Sequence, residues 1–331
     1  MRIFSGIQPT GLKHLGNYIG AIVQYVAGQD RGEAIYCIVD LHAITVAYEP
    51  AALRESVYDT AAILLAAGLD ADRIIFFRQG DVPEQPELCW LLSSVTAYGD
   101  LTRMTQFKEK SAQQRELVSA GLFFYPVLQA ADVLAYRTDE VPVGEDQRQH
   151  IELTRDVAER FNARFGEVLV VPEVRVPEVG GRIMDLQFPD RKMSTTAGSP
   201  QGTVYVLDPP DAVAKKLRAA VTDSGSEVRR GPDKEGISNL IEIFAAVRGV
   251  RPEDVEREFD GSGYGAFKQA VADAVVEYLA PVRERYQAVR GDERALERIF
   301  AEGAEKARAI ARETLADVRQ AMGVGPVRHG Q

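Results

Sequence analysis

Short apolar, β-branched runs punctuate the first half of the chain at Arg2–Ile7, 35–40, 73–78 and 168–172, and amphipathic stretches separate them. Within Pro50–Ala67 and 149–165 the apolar residues recur at spacings of three and four, the period of a helix with one buried face. Strand-length runs alternating with such helices predict an α/β fold, a doubly wound parallel sheet covered on both faces. Sheets of this class bind ligands beyond the carboxyl ends of their strands, so the loops that follow the strands are where chemistry is expected. Residues 173–204 are rich in Pro, Gly, Thr and Ser and read as a loop-dominated connector carrying Lys192-Met193-Ser194. From about Asp208 the pattern turns helical, at 212–221, 237–247, 265–278 and Glu293–Met322. In the last stretch Leu296, Ile299, Phe300, Ala307, Ile310, Ala311, Leu315, Val318 and Met322 form one stripe, best read as core packing. The chain thus divides into an α/β part, 1–204, and a helical part, 205–331, with a frayed tail at 323–331 and no internal repeats.

Composition narrows the class. The 331 residues, 45% hydrophobic and 27% charged, suit a globular protein with a sizeable core. No apolar run reaches the length of about 18 residues that a membrane span needs. The start, Met1-Arg2-Ile3-Phe4-Ser5-Gly6, lacks the apolar region of a signal peptide, which points to the cytoplasm. Cys37 and Cys89 both sit in apolar sequence and read as buried thiols of a reducing compartment, not a disulfide. His14, His42, His150 and His329 are scattered without metal-ligand spacing, so no metal site is expected. A net charge of −10 argues against a chain that coats nucleic acid, DNA above all, and confines any RNA contact to local basic patches.

Four segments carry candidate chemistry. The first, 5–18, follows the first predicted strand and opens a helix at about Gly16. Glycines allow close backbone approach, a helix N-terminus offers free N–H groups to phosphate, and His14 and Asn17 add side-chain donors. The segment matches neither the Walker pattern nor the dinucleotide G-x-G-x-x-G, and on its residues alone it also reads as an ordinary glycine-rich turn with a surface histidine. In the second, 121–132, Tyr125 and Asp132 stand two helical turns apart on one face, and Asp132 lies among Ala131, Val133 and Leu134. A carboxylate in apolar surroundings needs a partner, either a ligand or a structural cap or salt bridge. In the third, Val143-Gly144-Glu145-Asp146, Gly144 admits a nucleoside and Asp146 suits ribose hydroxyls, while Asp146 as the N-cap of the following helix is the structural alternative. The fourth is Arg191-Lys192-Met193-Ser194-Thr195-Thr196.

These blocks together resemble a known family. His14-Leu15-Gly16-Asn17 is similar to the His-Ile-Gly-His signature of class I aminoacyl-tRNA synthetases, in the form seen in the bacterial tryptophanyl branch. The segments 40–45, 103–111, 121–132, 141–147, 192–194, 220–224 and 236–240 resemble that family too, in order along nearly the whole chain. The resemblance implies a Rossmann-like class I core with ATP as co-substrate, Mg2+ accompanying it, and a helical part, 205–331, that reads the anticodon of tryptophan tRNA. It implies an ATP site of Gln8, Pro9, Thr10, His14, Gly16, Asn17, Gly144, Glu145, Asp146, Ile183, Lys192, Met193, Ser194, Thr195 and Thr196. It implies a tryptophan site in which Asp132 accepts the indole N–H, Tyr125 and Gln147 hold the α-amino group, and Phe4, Gly6, His42, Gln129, Val141 and Val143 line the pocket. His42 also reads as a satisfied structural histidine at a strand end.

Lys110, Lys192, His14 and Asn17 are the residues expected to act on the phosphates. The chain departs from the family's Lys-Met-Ser-Lys-Ser loop: Thr195 replaces the second lysine and Thr196 the final serine. A homodimer is implied, and Lys215, Lys216, Arg229 and Arg230 are candidate RNA contacts that equally suit a solvated face. Two alternatives remain open: tyrosine activation, which the 129–132 block fits less well, and an accessory paralogue with weak aminoacylation, which only Thr195 favours.

Overall fold

Residues 1–9, 12–106, 118–176, 183–194 and 198–325 are described by a computed structural model of the chain. Among them five strands form one sheet: β1 (Arg2–Ile7), β2 (Glu33–Ile38), β3 (Ile75–Arg78), β4 (Glu140–Pro142) and β5 (Glu173–Arg175). Their order is β3-β2-β1-β4-β5 and every pairing is parallel. β1 pairs with β2 along its whole length, from Arg2↔Glu33 to Ile7↔Ile38, and meets β4 at Ile3↔Glu140. The winding therefore reverses between β1 and β4, and the loops that leave their carboxyl ends diverge and open a crevice. The two loops at that crevice are those beginning at Gln8 and at Val143.

Alternation in β2 sorts the core into two layers. Tyr36 and Ile38 join Phe76 on one face with Ala61 and Leu64 of the helix Pro50–Ala67. Ile35 and Cys37 join Phe4, Phe77 and Val141 on the other with Val127 and Ala131 of Ala120–Leu134 and Ile151 and Val157 of Arg148–Phe165. Both cysteines are buried and free.

The C-terminal helix Glu293–Met322 spans both layers. Leu296 and Phe300 enter the first, while Ala304, Ala307, Ala311, Leu315 and Val318 enter the second, so the stripe seen in the sequence is core. It lies so close to β3 that a Cβ on Gly303 would stand 1.9 Å from the carbonyl oxygen of Phe76. Beyond the sheet region the helices Pro210–Arg218, Glu235–Arg248, Pro252–Glu258 and Gly263–Arg290 precede it in the chain. No helix among the described residues is long and apolar enough to cross a membrane.

Two elements differ from the sequence expectation. The run 168–172 is not a strand, because Asn162 takes its backbone groups: Oδ1 accepts from Val168 N and Leu169 N, and Nδ2 donates to Leu169 O. The strand forms just after it, at Glu173–Arg175. β4, at three residues, is too short to show a period.

Candidate active site

A cavity of about 980 Å3 lies over the reversal point. It brings together seventeen of the expected residues: Phe4, Gly6, Gln8, His14, Gly16, Asn17, His42, Tyr125, Gln129, Asp132, Val141, Val143, Gly144, Glu145, Gln147, Ile183 and Lys192. A second cavity of about 750 Å3 adjoins it, sharing Gly6, Gln8, His14, Asn17 and Lys192 and adding Met193 and Ser194. Pro9 is buried outside both linings. Thr10, Lys110, Thr195 and Thr196 lie outside the described residues, as does the side chain of Asp146.

At the end of the loop after β1, His14 and Asn17 form a reciprocal cap. Asn17 N donates to His14 Nδ1 and His14 N donates to Asn17 Oδ1, both at 3.2 Å. Because Nδ1 accepts, the ring proton sits on Nε2, and because Asn17 Oδ1 accepts, its amide retains Nδ2 as a donor. The turn reading with a surface histidine fails here, since His14 is 5% exposed. Burial, reinforced by the Lys192 and Lys13 charges, lowers its pKa to about 4. His14 is therefore a neutral N–H donor at pH 7, not a cation. Gly16 faces the imidazole and Ile183: a Cβ there would sit 3.1 Å from the His14 ring and 3.5 Å from Ile183, closing a slot that the glycine leaves open.

On the other side of β1 the helix Ala120–Leu134 aims Tyr125, Gln129 and Asp132 into the cavity. Asp132 is 1% exposed and is held by three polar side chains. Gln79 Nε2 reaches both of its oxygens at 2.7 and 2.9 Å, Gln85 Nε2 reaches Oδ1 at 2.9 Å, and His42 Nε2 stands 2.8 Å from Oδ2. Burial raises the carboxyl pKa, and the His42 and Gln79 hydrogen bonds and the His42 charge oppose it. His42, on a one-turn helix directly after β2, thus both lines the cavity and holds Asp132.

Tyr125 Oη is 2.8 Å from His150 Nε2, and burial pushes its pKa up to about 12, so the phenol stays protonated. With its hydrogen directed to a neighbour, its oxygen lone pairs can accept from an ammonium group. Phe4 is fixed as a wall by stacking on Tyr136, with centroids 5.6 Å apart.

Lys192 is carried on a small hairpin. Met193 N donates to Ile183 O and Asp185 N to Arg191 O, and Met184 pairs antiparallel with Lys192. Buried Asp185 anchors its turn by accepting from the backbone of Gln187, Phe188 and Ser199. Met193, 1% exposed, plugs the core and leaves Lys192 toward both cavities.

Several participants escaped the sequence reading. Gln79 and Gln85, both buried, were silent because a lone glutamine after a strand carries no pattern. His150, Gln106 and Lys13 carried no signal of their own either, though Gln106 lies inside the family-like segment 103–111. The alternative reading of Asp146 as the N-cap does not hold: the helix begins at Arg148, its cap position is Gln147, and Glu145–Gln147 is a 3-10 turn. Two of the four candidate RNA contacts are already committed. Lys216 is bound by Asp208 and Thr203 O, and Arg230 by Glu242, Glu253 and Glu256. Lys215 and Arg229 remain exposed.

Known proteins share this architecture and sequence. The chain is 50% identical over 331 residues to tryptophan–tRNA ligase 2 of Streptomyces avermitilis, covering 99% of this chain and 98% of that one. It is 48% identical over 323 residues to the tryptophan–tRNA ligase of Wolinella succinogenes, covering 98% of each. Among solved structures, tryptophanyl-tRNA synthetase from Mycoplasma pneumoniae superposes with a TM-score of 0.89 at 34% identity, over 98% of both chains. The Campylobacter jejuni tryptophanyl-tRNA synthetase complexed with ADP and tryptophan gives 0.83 at 34% identity, over 98% of this chain and 100% of that one. Residues 1–280 match the family described as tRNA synthetases class I (W and Y), and the chain belongs to that family.

Proposed function

We propose that this chain is a tryptophan–tRNA ligase, which activates L-tryptophan with ATP and transfers it to tryptophan tRNA. The observation that carries this reading is one cavity joining the His14–Asn17 cap, Lys192 and the buried Asp132. The names of relatives at about half identity over the whole chain support it.

In the first step the tryptophan carboxylate attacks the α-phosphate of ATP, and pyrophosphate leaves. No enzyme nucleophile is required, so catalysis is positioning and charge stabilisation. His14 Nε2–H and Asn17 Nδ2–H offer neutral donors to the phosphates, and Lys192 offers charge. Lys110 is assigned the same role from the sequence. Gly144, Glu145 and Ile183 border the nucleoside end.

Asp132 Oδ2 takes the indole N–H in place of the longer of its two Gln79 bonds, and Tyr125 and Gln147 receive the ammonium. Mg2+ would accompany ATP and add to the charge stabilisation of its phosphates. Among the described residues no group of three His, Cys, Asp or Glu gathers to hold it. In the second step a terminal ribose hydroxyl of the tRNA displaces AMP. Residues 205–331 contribute the anticodon-reading surface, with exposed Lys215 and Arg229 as its remaining candidates among the four proposed.

A homodimer would cover Trp90 and Tyr98, each 74% exposed, the ring of Tyr98 lying 5.5 Å from that of Phe123. The test of function is charging. The purified chain should make acid-precipitable radioactive tryptophan with tRNA, and charging with tyrosine in its place would refute the substrate assignment.

A further inference from the structure

We infer that Lys13 is a pyrophosphate-binding residue of the adenylation step, its ammonium supplying the second positive charge that the Lys192 loop lacks where Thr195 stands. The inference rests on the adenylation reading above.

Four observations lead to it. First, the second cavity is lined among the described residues by three cations, Lys13, Arg191 and Lys192, and by no Asp or Glu. In a chain of net charge −10 such a concentration marks a place for an anion. Second, this cavity is continuous with the substrate cavity through Gln8, His14, Asn17 and Lys192, so a nucleotide seated in one can extend its phosphates into the other.

Third, the backbone that carries Lys13 is fixed. Val206 N donates to Lys13 O at 2.9 Å, Leu15 N donates to Val204 O at 2.8 Å, and His14 pairs with Tyr205 between them. Lys13 Nζ is anchored at the loop by the carbonyl of Gln8, 2.8 Å away, which keeps its charge at the cavity wall. Fourth, His14 lines this same cavity with Lys13 and Lys192, which sets the two ammoniums around one functional centre.

Burial holds the Lys13 pKa down to about 8, and an anionic partner would favour its charged form. In the reaction a carboxylate oxygen–phosphorus bond forms at the α-phosphorus while the bond from it to the bridging oxygen breaks. The electron pair leaves on pyrophosphate, and Lys13 and Lys192 receive that charge without any proton transfer.

The test compares the wild-type chain with Lys13→Met, Lys13→Arg and the double variant Lys13→Met/Thr195→Lys in tryptophan-dependent ATP–pyrophosphate exchange. Methionine keeps the length and apolar stem, and a melting temperature close to that of the wild type verifies the fold. Lys13→Met is expected to lower exchange by about 100-fold, with a raised KM for pyrophosphate and an unchanged KM for tryptophan. Lys13→Arg is expected to retain most activity. Restoring a loop lysine in the double variant is expected to recover at least about tenfold, since both cations serve one charge. Wild-type exchange in Lys13→Met, a defect confined to the tryptophan KM, or no recovery in the double variant overturns the inference alone. A wild-type chain that fails to exchange overturns the adenylation reading. Calorimetry with inorganic pyrophosphate then still decides Lys13, because equal affinity in wild type and Lys13→Met overturns its role.

Discussion

Replacing Asp132 by asparagine probes the indole pocket at its centre. The carboxylate accepts from His42, Gln79 and Gln85 while 1% exposed. Alanine would orphan three buried donors at roughly 1–3 kcal/mol each. That sum rivals the whole stability of a domain, about 5–15 kcal/mol, so alanine tests folding and not recognition. Asparagine keeps one oxygen and the volume but turns the other oxygen into a donor facing donors. The expected stability loss is about 1–3 kcal/mol, read by urea denaturation.

A charge-assisted bond to the substrate is worth about 1.5–3 kcal/mol, so kcat/KM for tryptophan should fall about 10- to 150-fold. The decisive assay pairs tryptophan with 3-benzothienyl-alanine, which carries sulfur where indole carries N–H. The wild-type chain should prefer tryptophan strongly, and Asp132→Asn should lose most of that preference while KM for ATP stays within about twofold. An unchanged preference ratio in Asp132→Asn would refute the assignment of the indole N–H to this carboxylate.

Other consequences follow from the same geometry. His14 titrates near 4 in the fold against 6.5 for the free side chain, so the unfolded chain binds the extra proton between these values and stability falls as pH drops through that window. The loss should approach about 3 kcal/mol by pH 4 and vanish in His14→Ser, which still caps the helix; parallel pH–stability curves for the two proteins would contradict this. Gly303→Ala pushes the C-terminal helix off β3 at Phe76, and the melting temperature should fall by at least about 5 °C. Wild-type melting in that variant would mean the helix yields freely. Trp90 is the single tryptophan, so its fluorescence reports the proposed dimer surface. Emission should shift to the red on dilution, Trp90→Lys should sediment as a monomer, and a wild-type protein that sediments as a monomer at micromolar concentration would exclude the dimer.

Elements with a long period are legible in the sequence: Pro50–Ala67 and Glu293–Met322 lie where the spacing of apolar residues places them. The sheet is legible in kind but not in detail. Asn162 takes the backbone bonds that 168–172 would need to pair, and side-chain competition of that sort leaves no mark in an apolar run. Most of the site is legible because loops after strands carry it, from Gln8 to Asn17 and from Val143 to Gln147. Hidden from the sequence are the residues that stand behind the pocket wall. Gln79 and Gln85 come to Asp132 from a different strand end and helix, a meeting that only tertiary folding creates. Lys13 is overshadowed by its neighbour His14, and only the cavity it lines sets it apart from a solvated lysine.

Amino-acid activation by this cavity is read out by tryptophan-dependent exchange of radioactive pyrophosphate into ATP. The purified chain should exchange with tryptophan at least about 1,000-fold faster than with tyrosine, since a site built to pair the indole N–H rejects analogues that cannot satisfy it. Exchange with tyrosine and not tryptophan, or none with any amino acid, would exclude tryptophan activation by this chain.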